Sequence, residues 1–217
     1  MAFMNNDSDR QTALTHFLRL CQIKTYPAKT TLIHLGQFNE SLYYIVNGSV
    51  VVEAEDEDGK ELVLAYLSKG EFFGEMGVFN GEEVRLVNVR TRCECKLAEI
   101  SYEQINTLLR KELPEYAADI LFMLGEQMAK RLLTTSRNFR DLAFMDTRGR
   151  IARTLLDLCK EPDAMTHPDG MQLHISRQEI GRIVGCSREV VGRVLKELEE
   201  QKLISAHGKT IVVFGTR

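Results

Sequence analysis

SRQEIGRIVGCSREVVGRVLKELEEQKLI, residues 176–204, decides how the chain is read. Ser176 followed three residues later by Glu179 has the pattern of a capping box, which starts a helix by satisfying its first free N–H groups. Ile180 and Ile183 point inward on that helix, and Gly185 ends it, because glycine takes the left-handed cap without strain. Cys186-Ser187 makes a tight turn, and Ser187 caps a second helix with core residues Val191, Val194, Leu195 and Leu198. Two helices joined by a short turn containing glycine form a shape that enters the major groove of DNA. Arg188, Glu189 and Arg193 fall on the outer side near the start of the second helix. Arginine can grip guanine O6 and N7 together, and glutamate can accept from cytosine N4. Arg177, Gln178, His207 and Lys209 are placed to hold phosphates, and Ser187 joins them at the helix start. A plain helical hairpin with a solvated charged face has the same spacing. The segment that follows, LISAHGKTIVVFG, separates the two readings: it is a short β-hairpin around His207-Gly208-Lys209, the wing that completes a winged helix-turn-helix.

Upstream of this segment lie a helix over Arg150–Lys160, a Pro/Gly loop EPDAMTHPDG and a short strand MQLHIS. Before them, from residue 114 to about 144, Leu121, Leu124, Met128, Leu132, Thr135, Phe139 and Leu142 recur at steps of three or four. That pattern predicts a helix of roughly 30 residues, about 45 Å long. Its stripe either lies across its own domain or pairs with a twin, and its length favours a twin, hence a homodimer. From Lys24 to about Ser101 short apolar runs such as SLYYIV, SVVVEAE and ELVLAYL are punctuated by Gly36, Asn47-Gly48, Asp58-Gly59 and Gly70. This is the texture of an antiparallel sandwich or roll, with Asp58-Gly59 as a hairpin turn. Thr12–Cys21 reads as a brief amphipathic helix with Leu14, Phe17, Leu18 and Cys21 on one side. The chain is therefore expected to be α+β, with an N-terminal region over 1–113, a long helix over 114–145 and a DNA-binding domain over 146–217.

Composition excludes several classes. Residues 146–217 hold 12 Lys+Arg against 10 Asp+Glu, while residues 1–145 hold 16 against 21, a mildly basic tail behind an acidic front. No apolar run approaches the roughly 20 residues that cross a bilayer, and the N-terminus lacks a signal-peptide pattern. Five cysteines without framework spacing imply free thiols in a reducing compartment, so the cytoplasm is expected and no membrane partner. Cys93 and Cys95 stand two apart in a strand-like run, which would set both thiols packed on one sheet face. No serine or cysteine stands in a G-x-S-x-G elbow, and His16, His34, His167, His174 and His207 form no metal-spaced set, so neither an enzyme nor a metal site is expected.

The stretches KEPDAMTHPDGMQLHISRQEIGRIVGCSREVVGRVL and ISAHGKTIVVFGTR, with LYYIVNGSV and LAEISY, closely resemble the cyclic-AMP receptor protein (catabolite activator protein) family. The resemblance covers about Thr30 to Arg217 and looks nearest to the proteobacterial virulence-factor regulator branch. It implies an N-terminal β-roll that binds a cyclic nucleotide, a long dimerisation helix and a winged helix-turn-helix, with cAMP as effector. It implies that Gly74 and Glu75 meet the ribose, that Arg85 clamps the cyclic phosphate, and that Thr135 and Ser136 contact the adenine, one of them across the dimer. It further implies that Arg188, Glu189 and Arg193 read a TGTGA-like half-site. The loop at Ala164, Met165, Thr166 and His167 would then touch the RNA polymerase alpha subunit. The sequence departs from the family in three places. Arg85-Leu86-Val87 stands where the family has Arg-Ser-Ala, so the phosphate loses a hydroxyl donor and a bulkier pair is expected to crowd the roll. One hydrogen bond to a charged group is worth about 1.5–3 kcal/mol, roughly 10- to 150-fold in affinity, which leaves open a cAMP-independent role or another effector such as cyclic di-GMP. Val190 replaces a frequent threonine, and of the family's second, basic polymerase contact only Lys24 remains around Gln22–Thr25. Family versions that sense oxygen through an N-terminal cysteine cluster, or carry haem, are not matched: residues 1–20 hold no cysteine, and His34 with Cys21 makes no ligand pair. A kinase regulatory subunit would share the β domain but lack the helix-turn-helix.

Overall fold

The turn Asp56–Lys60 shows how local chemistry builds the first unit. The Asp56 side chain accepts from the amides of Asp58 and Lys60, and Gly59 adopts φ 76°, closing the hairpin between strands β4 (Ser49–Glu55) and β5 (Glu61–Ser68). The computed structural model describes residues 7–80, 84–161 and 163–216. It divides into two units, residues 1–60 with 64–135, and residues 61–63 with 136–217.

The first unit carries helix α1 (Asp7–Leu20) and strands β1 (Gln22–Tyr26), β2 (Thr31–Ile33) and β3 (Ser41–Asn47) ahead of β4 and β5. After them come β6 (Phe72–Phe73), the short helix α2 (Met76–Asn80), β7 (Asn88–Thr91), β8 (Cys95–Ser101) and helix α3 (Tyr102–Thr107). Two antiparallel sheets form, in the orders β1-β8-β3-β6 and β2-β7-β4-β5. One core lies among the strands, around Ile45, Val50, Phe73 and Leu97. A second joins helix to strand through Phe17, Leu42, Phe72, Ile105 and Leu124. Among the described residues helix α1 covers Asp7–Leu20, so it reaches ahead of the expected Thr12.

The long helix α4 runs Ala117–Phe144, behind a single 3-10 turn at Pro114–Tyr116. Its apolar stripe divides. Leu124, expected at a dimer seam, is fully buried with Ile120 in the unit's own core, so it is withdrawn from that set. Leu121, Leu132, Phe139 and Leu142 remain 40–73% exposed, and Thr135 is exposed with Met128 half-buried. Steps of three and four fit two adjacent faces of one helix, and only the fold reveals which face each residue takes. The cysteine expectation also needs correction. Cys95 is buried and donates to the Ser49 carbonyl (3.2 Å), whereas Cys93 is exposed. The chain bends at Arg92–Cys93 before β8 begins, so strand alternation does not reach back to Cys93.

The second unit contains helix α5 (Thr147–Leu158), capped by Asp146, whose side chain accepts from the Gly149 amide at 2.7 Å. The expected Pro/Gly loop contains a strand, β9 (Met165–His167), paired with β10 (Gly170–His174). Helices α6 (Arg177–Val184) and α7 (Arg188–Glu200) follow, then β11 (Ile204–His207) and β12 (Thr210–Phe214). The sheet order is β11-β12-β10-β9, and Ile151, Leu155, Ile180, Val191, Leu195 and Ile211 pack beneath it. Among the described residues no helix is long and apolar enough to cross a membrane.

Candidate effector and nucleic-acid sites

Gly74 and Glu75 leave the two-residue strand β6 at a sharp turn. Gly74 has φ 82°, and a Cβ there would stand 2.5 Å from the Ser41 carbonyl oxygen, so only glycine fits. The turn brings Glu75 inward to 7% exposure, where Arg131 of α4 donates to its Oε1 at 2.8 Å. The same guanidinium donates to the Phe72 carbonyl. One turn earlier on α4, Gln127 accepts from the Phe72 amide at 2.9 Å and donates to the Gly70 carbonyl at 3.2 Å. Both backbone polar groups of Phe72 on the edge of its sheet are thus satisfied by α4 side chains.

Arg85 joins this cluster by another route. Its Nη2 donates to the Asn39 carbonyl at 2.6 Å and to the Tyr102 hydroxyl, which in turn donates to the Gly74 carbonyl at 2.6 Å. Burial raises the Tyr102 pKa above the ordinary phenol value, and the Arg85 charge opposes that rise. Gly74, Glu75 and Arg85, expected together from the sequence, are therefore brought together. Tyr102, Arg131 and Asn39 hold them, Gln127 holds the neighbouring backbone at Gly70 and Phe72, and none of these was foreseen. For Tyr102 a signal existed in the LAEISY run. For Arg131 there was none, since its partner Glu75 lies 56 residues away. The expectation that the bulkier pair crowds the roll divides: Leu86 is 81% exposed and turns away, whereas Val87, in the bend just before β7, packs against the core. The hydroxyl that Leu86 lacks is still absent from this corner of the site. Thr135 and Ser136 sit on α4 with exposed side chains. Among the described residues no group of three His, Cys, Asp or Glu could hold a metal ion.

In the second unit, Ser176 accepts from the Glu179 amide (3.1 Å) and Ser187 from the Val190 amide (3.4 Å), which sets the start of each helix. Gly185 caps α6 at φ 75°. A Cβ on Gly181 would lie 2.6 Å from the Cys186 carbonyl oxygen, so the close crossing of α6 and the turn requires glycine. Arg188, Glu189 and Arg193 are exposed near the N-terminus of α7, with Gln178 exposed and Arg177 half-buried on α6. The free backbone N–H at the start of α7 and the Ser187 hydroxyl hold the Glu189 carboxyl below its ordinary pKa, leaving an ionised acceptor. His207 and Lys209 are exposed on either side of Gly208 (φ 62°) at the tip of the β11–β12 hairpin. Thr166 is exposed, His167 accepts from the Asp169 amide through Nδ1 (3.2 Å), and Ala164 packs partly against the unit's core.

Comparison with known proteins agrees with both halves. Residues 23–112 match the family model for the cyclic nucleotide-binding domain, and residues 149–214 match the Crp-like helix-turn-helix domain. Together these define a cyclic-nucleotide-responsive, DNA-binding transcription regulator. The chain is 57% identical over 204 residues to the cAMP-activated global transcriptional regulator CRP of Salmonella typhimurium, covering 94% of this chain and 95% of that one. It is 55% identical to the cAMP-activated global transcriptional regulator Vfr of Pseudomonas aeruginosa, covering 94% of each. The solved structure of the c-di-GMP responsive global regulator CLP of Xanthomonas campestris superposes with a TM-score of 0.90 at 48% identity, covering 95% of this chain and 100% of that one. The chain belongs to the CRP family of transcription regulators.

Proposed function

We propose that this chain is a cytoplasmic homodimer that binds cAMP and then a near-palindromic TGTGA-type DNA site. The observation that carries the effector reading is the linked cluster of Gly74, Glu75 and Arg85: a turn only glycine can make, a buried carboxylate for a ribose hydroxyl, and a guanidinium for the phosphate. Two relatives above half identity are described as cAMP-activated, which supports the same effector. Thr135 and Ser136 are assigned to the adenine. Leu121, Met128, Leu132, Thr135, Phe139 and Leu142 are assigned to the seam between two α4 helices. Arg188, Glu189 and Arg193 read base edges, while Arg177, Gln178, Ser187, His207 and Lys209 hold the backbone, with half-sites one helical turn apart. Ala164, Thr166 and His167 form the contact to the RNA polymerase alpha subunit. Nucleotide binding shifts the population of α4 arrangements toward the one that spaces the reading heads, a coupling typically worth about 1–3 kcal/mol.

The test is a titration of a labelled palindromic TGTGA-type duplex with and without cAMP at fixed salt. Tight binding that requires cAMP is the expected result, and tight binding indifferent to cAMP overturns the effector assignment. A second reading, cyclic di-GMP as effector, is favoured by the exposed Leu86 in place of a hydroxyl donor and by the likeness to CLP, described as c-di-GMP responsive. The same titration with cyclic di-GMP separates the two.

A further inference from the structure

We propose that Tyr102 is a positioning residue of the effector pocket, whose hydroxyl holds Arg85 in place for the phosphate of the bound nucleotide. The inference rests on the assignment of Arg85 to that phosphate. An arginine is a long side chain with several rotatable bonds, and it serves an anion best when its fork is already aimed. Here the aiming is done by two acceptors on one nitrogen, the Asn39 carbonyl and the Tyr102 hydroxyl. The hydroxyl accepts from Arg85 and donates its own proton to the Gly74 carbonyl at 2.6 Å. One oxygen thereby ties the phosphate-side residue to the turn that carries Glu75. The ring itself has little freedom. Ser101 and Gln104 form a complete capping box that starts α3 at Tyr102, and the ring lies against Gly77, where a Cβ would come within 2.4 Å of it. The Arg85 guanidinium carbon also lies 5.6 Å from the ring centroid. Tyr102 stands 17 residues from Arg85 and 28 from Gly74, so this link exists only in the folded roll.

The departure at Leu86 raises the importance of that link. With no serine hydroxyl beside Arg85, a larger share of the phosphate recognition falls on the guanidinium, and its alignment counts for more.

The experiment is a double-mutant cycle read by cAMP binding to the full-length chain, using Tyr102→Phe, Arg85→Ala and the pair. Tyr102→Phe keeps the ring in its slot and removes only the hydroxyl. It is expected to weaken cAMP about 10-fold in the wild-type background, the loss of one charge-assisted hydrogen bond's alignment. In the Arg85→Ala background the same change is expected to alter affinity less than about 2-fold, because the group being positioned is gone. A merely structural role would weaken both backgrounds alike, and that additive outcome overturns the proposal, as does unchanged affinity in Tyr102→Phe. Gly77→Ala, whose Cβ would press on the Tyr102 ring and its hydroxyl and push both off Arg85, is expected to reproduce the Tyr102→Phe loss in protein whose circular dichroism matches wild type. Unchanged cAMP affinity in that folded variant also counts against the proposal. Wild-type chain that binds no cAMP overturns the effector reading itself and this inference with it, a result distinct from binding that ignores Tyr102.

Discussion

Replacing Arg131 with alanine should destabilise the first unit by about 2–3 kcal/mol. Glu75 is 7% exposed, and the substitution removes the guanidinium 2.8 Å from its Oε1 together with a donor to the Phe72 carbonyl. Breaking a buried ion pair from one side costs about 3–5 kcal/mol, since the remaining charge is stranded. The Arg131 side chain is 25% exposed, so water can partly replace it, and the figure is discounted accordingly. With a urea dependence of about 2 kcal/mol per molar, the unfolding midpoint should fall by about 1–1.5 M. Far-UV circular dichroism is the suitable probe, because the chain has no tryptophan. Glu75→Gln leaves Arg131 with the Glu71 carboxylate 3.8 Å away and should cost about 1 kcal/mol. Arg131→Ala combined with Glu75→Gln should be less destabilised than the sum of the single changes by at least about 1 kcal/mol. A midpoint shift below about 0.3 M for Arg131→Ala, or strict additivity in the pair, would refute the view that Glu75 depends on Arg131.

Four further outcomes are expected. Gly181→Ala places a Cβ 2.6 Å from the Cys186 carbonyl oxygen and should cost the DNA-binding unit about 1–3 kcal/mol, read as a lowered thermal midpoint. Arg188→Ala should weaken the specific duplex by about 1–3 kcal/mol while barely changing binding to random sequence, measured at one salt concentration; equal loss on both would make Arg188 a phosphate contact. In thiol labelling of native protein, exposed Cys93 should react first, with buried Cys95 and Cys159 protected until unfolding. Burial pushes the Cys21 thiol up to about 12, so the folded chain keeps a proton that an unfolded thiol releases above about 8.5. Stability should therefore fall as pH rises through that window, and Cys21→Ala should flatten the decline measured by urea titration.

The helix-turn-helix was legible because each of its signals is local. Ser176, Gly185 and Ser187 act on residues within four positions, and Val191, Val194, Leu195 and Leu198 repeat at the period of the helix they bury. The Asp58-Gly59 turn and the tip at Gly208 were readable for the same reason. The strand at Met165–His167 escaped because proline and glycine around it dominate the local pattern, and its pairing with β10 supplies what propensity does not.

The sequence by itself determined the succession of a strand-rich region, a long helix and a winged helix-turn-helix, and the second helix of that motif with Arg188, Glu189 and Arg193 on its outer side; through resemblance it pointed to Gly74, Glu75 and Arg85 as a group. Tertiary structure alone decided that Arg131 pairs with Glu75, that Tyr102 bridges Arg85 to Gly74, that Leu124 is buried in the core of its own unit, and that Leu86 faces water. Caps and periodicity act over a few residues and leave their mark on adjacent letters. An ion pair across 56 residues, or the choice between two neighbouring faces of one helix, depends on where strands and helices come to rest against each other, and no short window of sequence contains that.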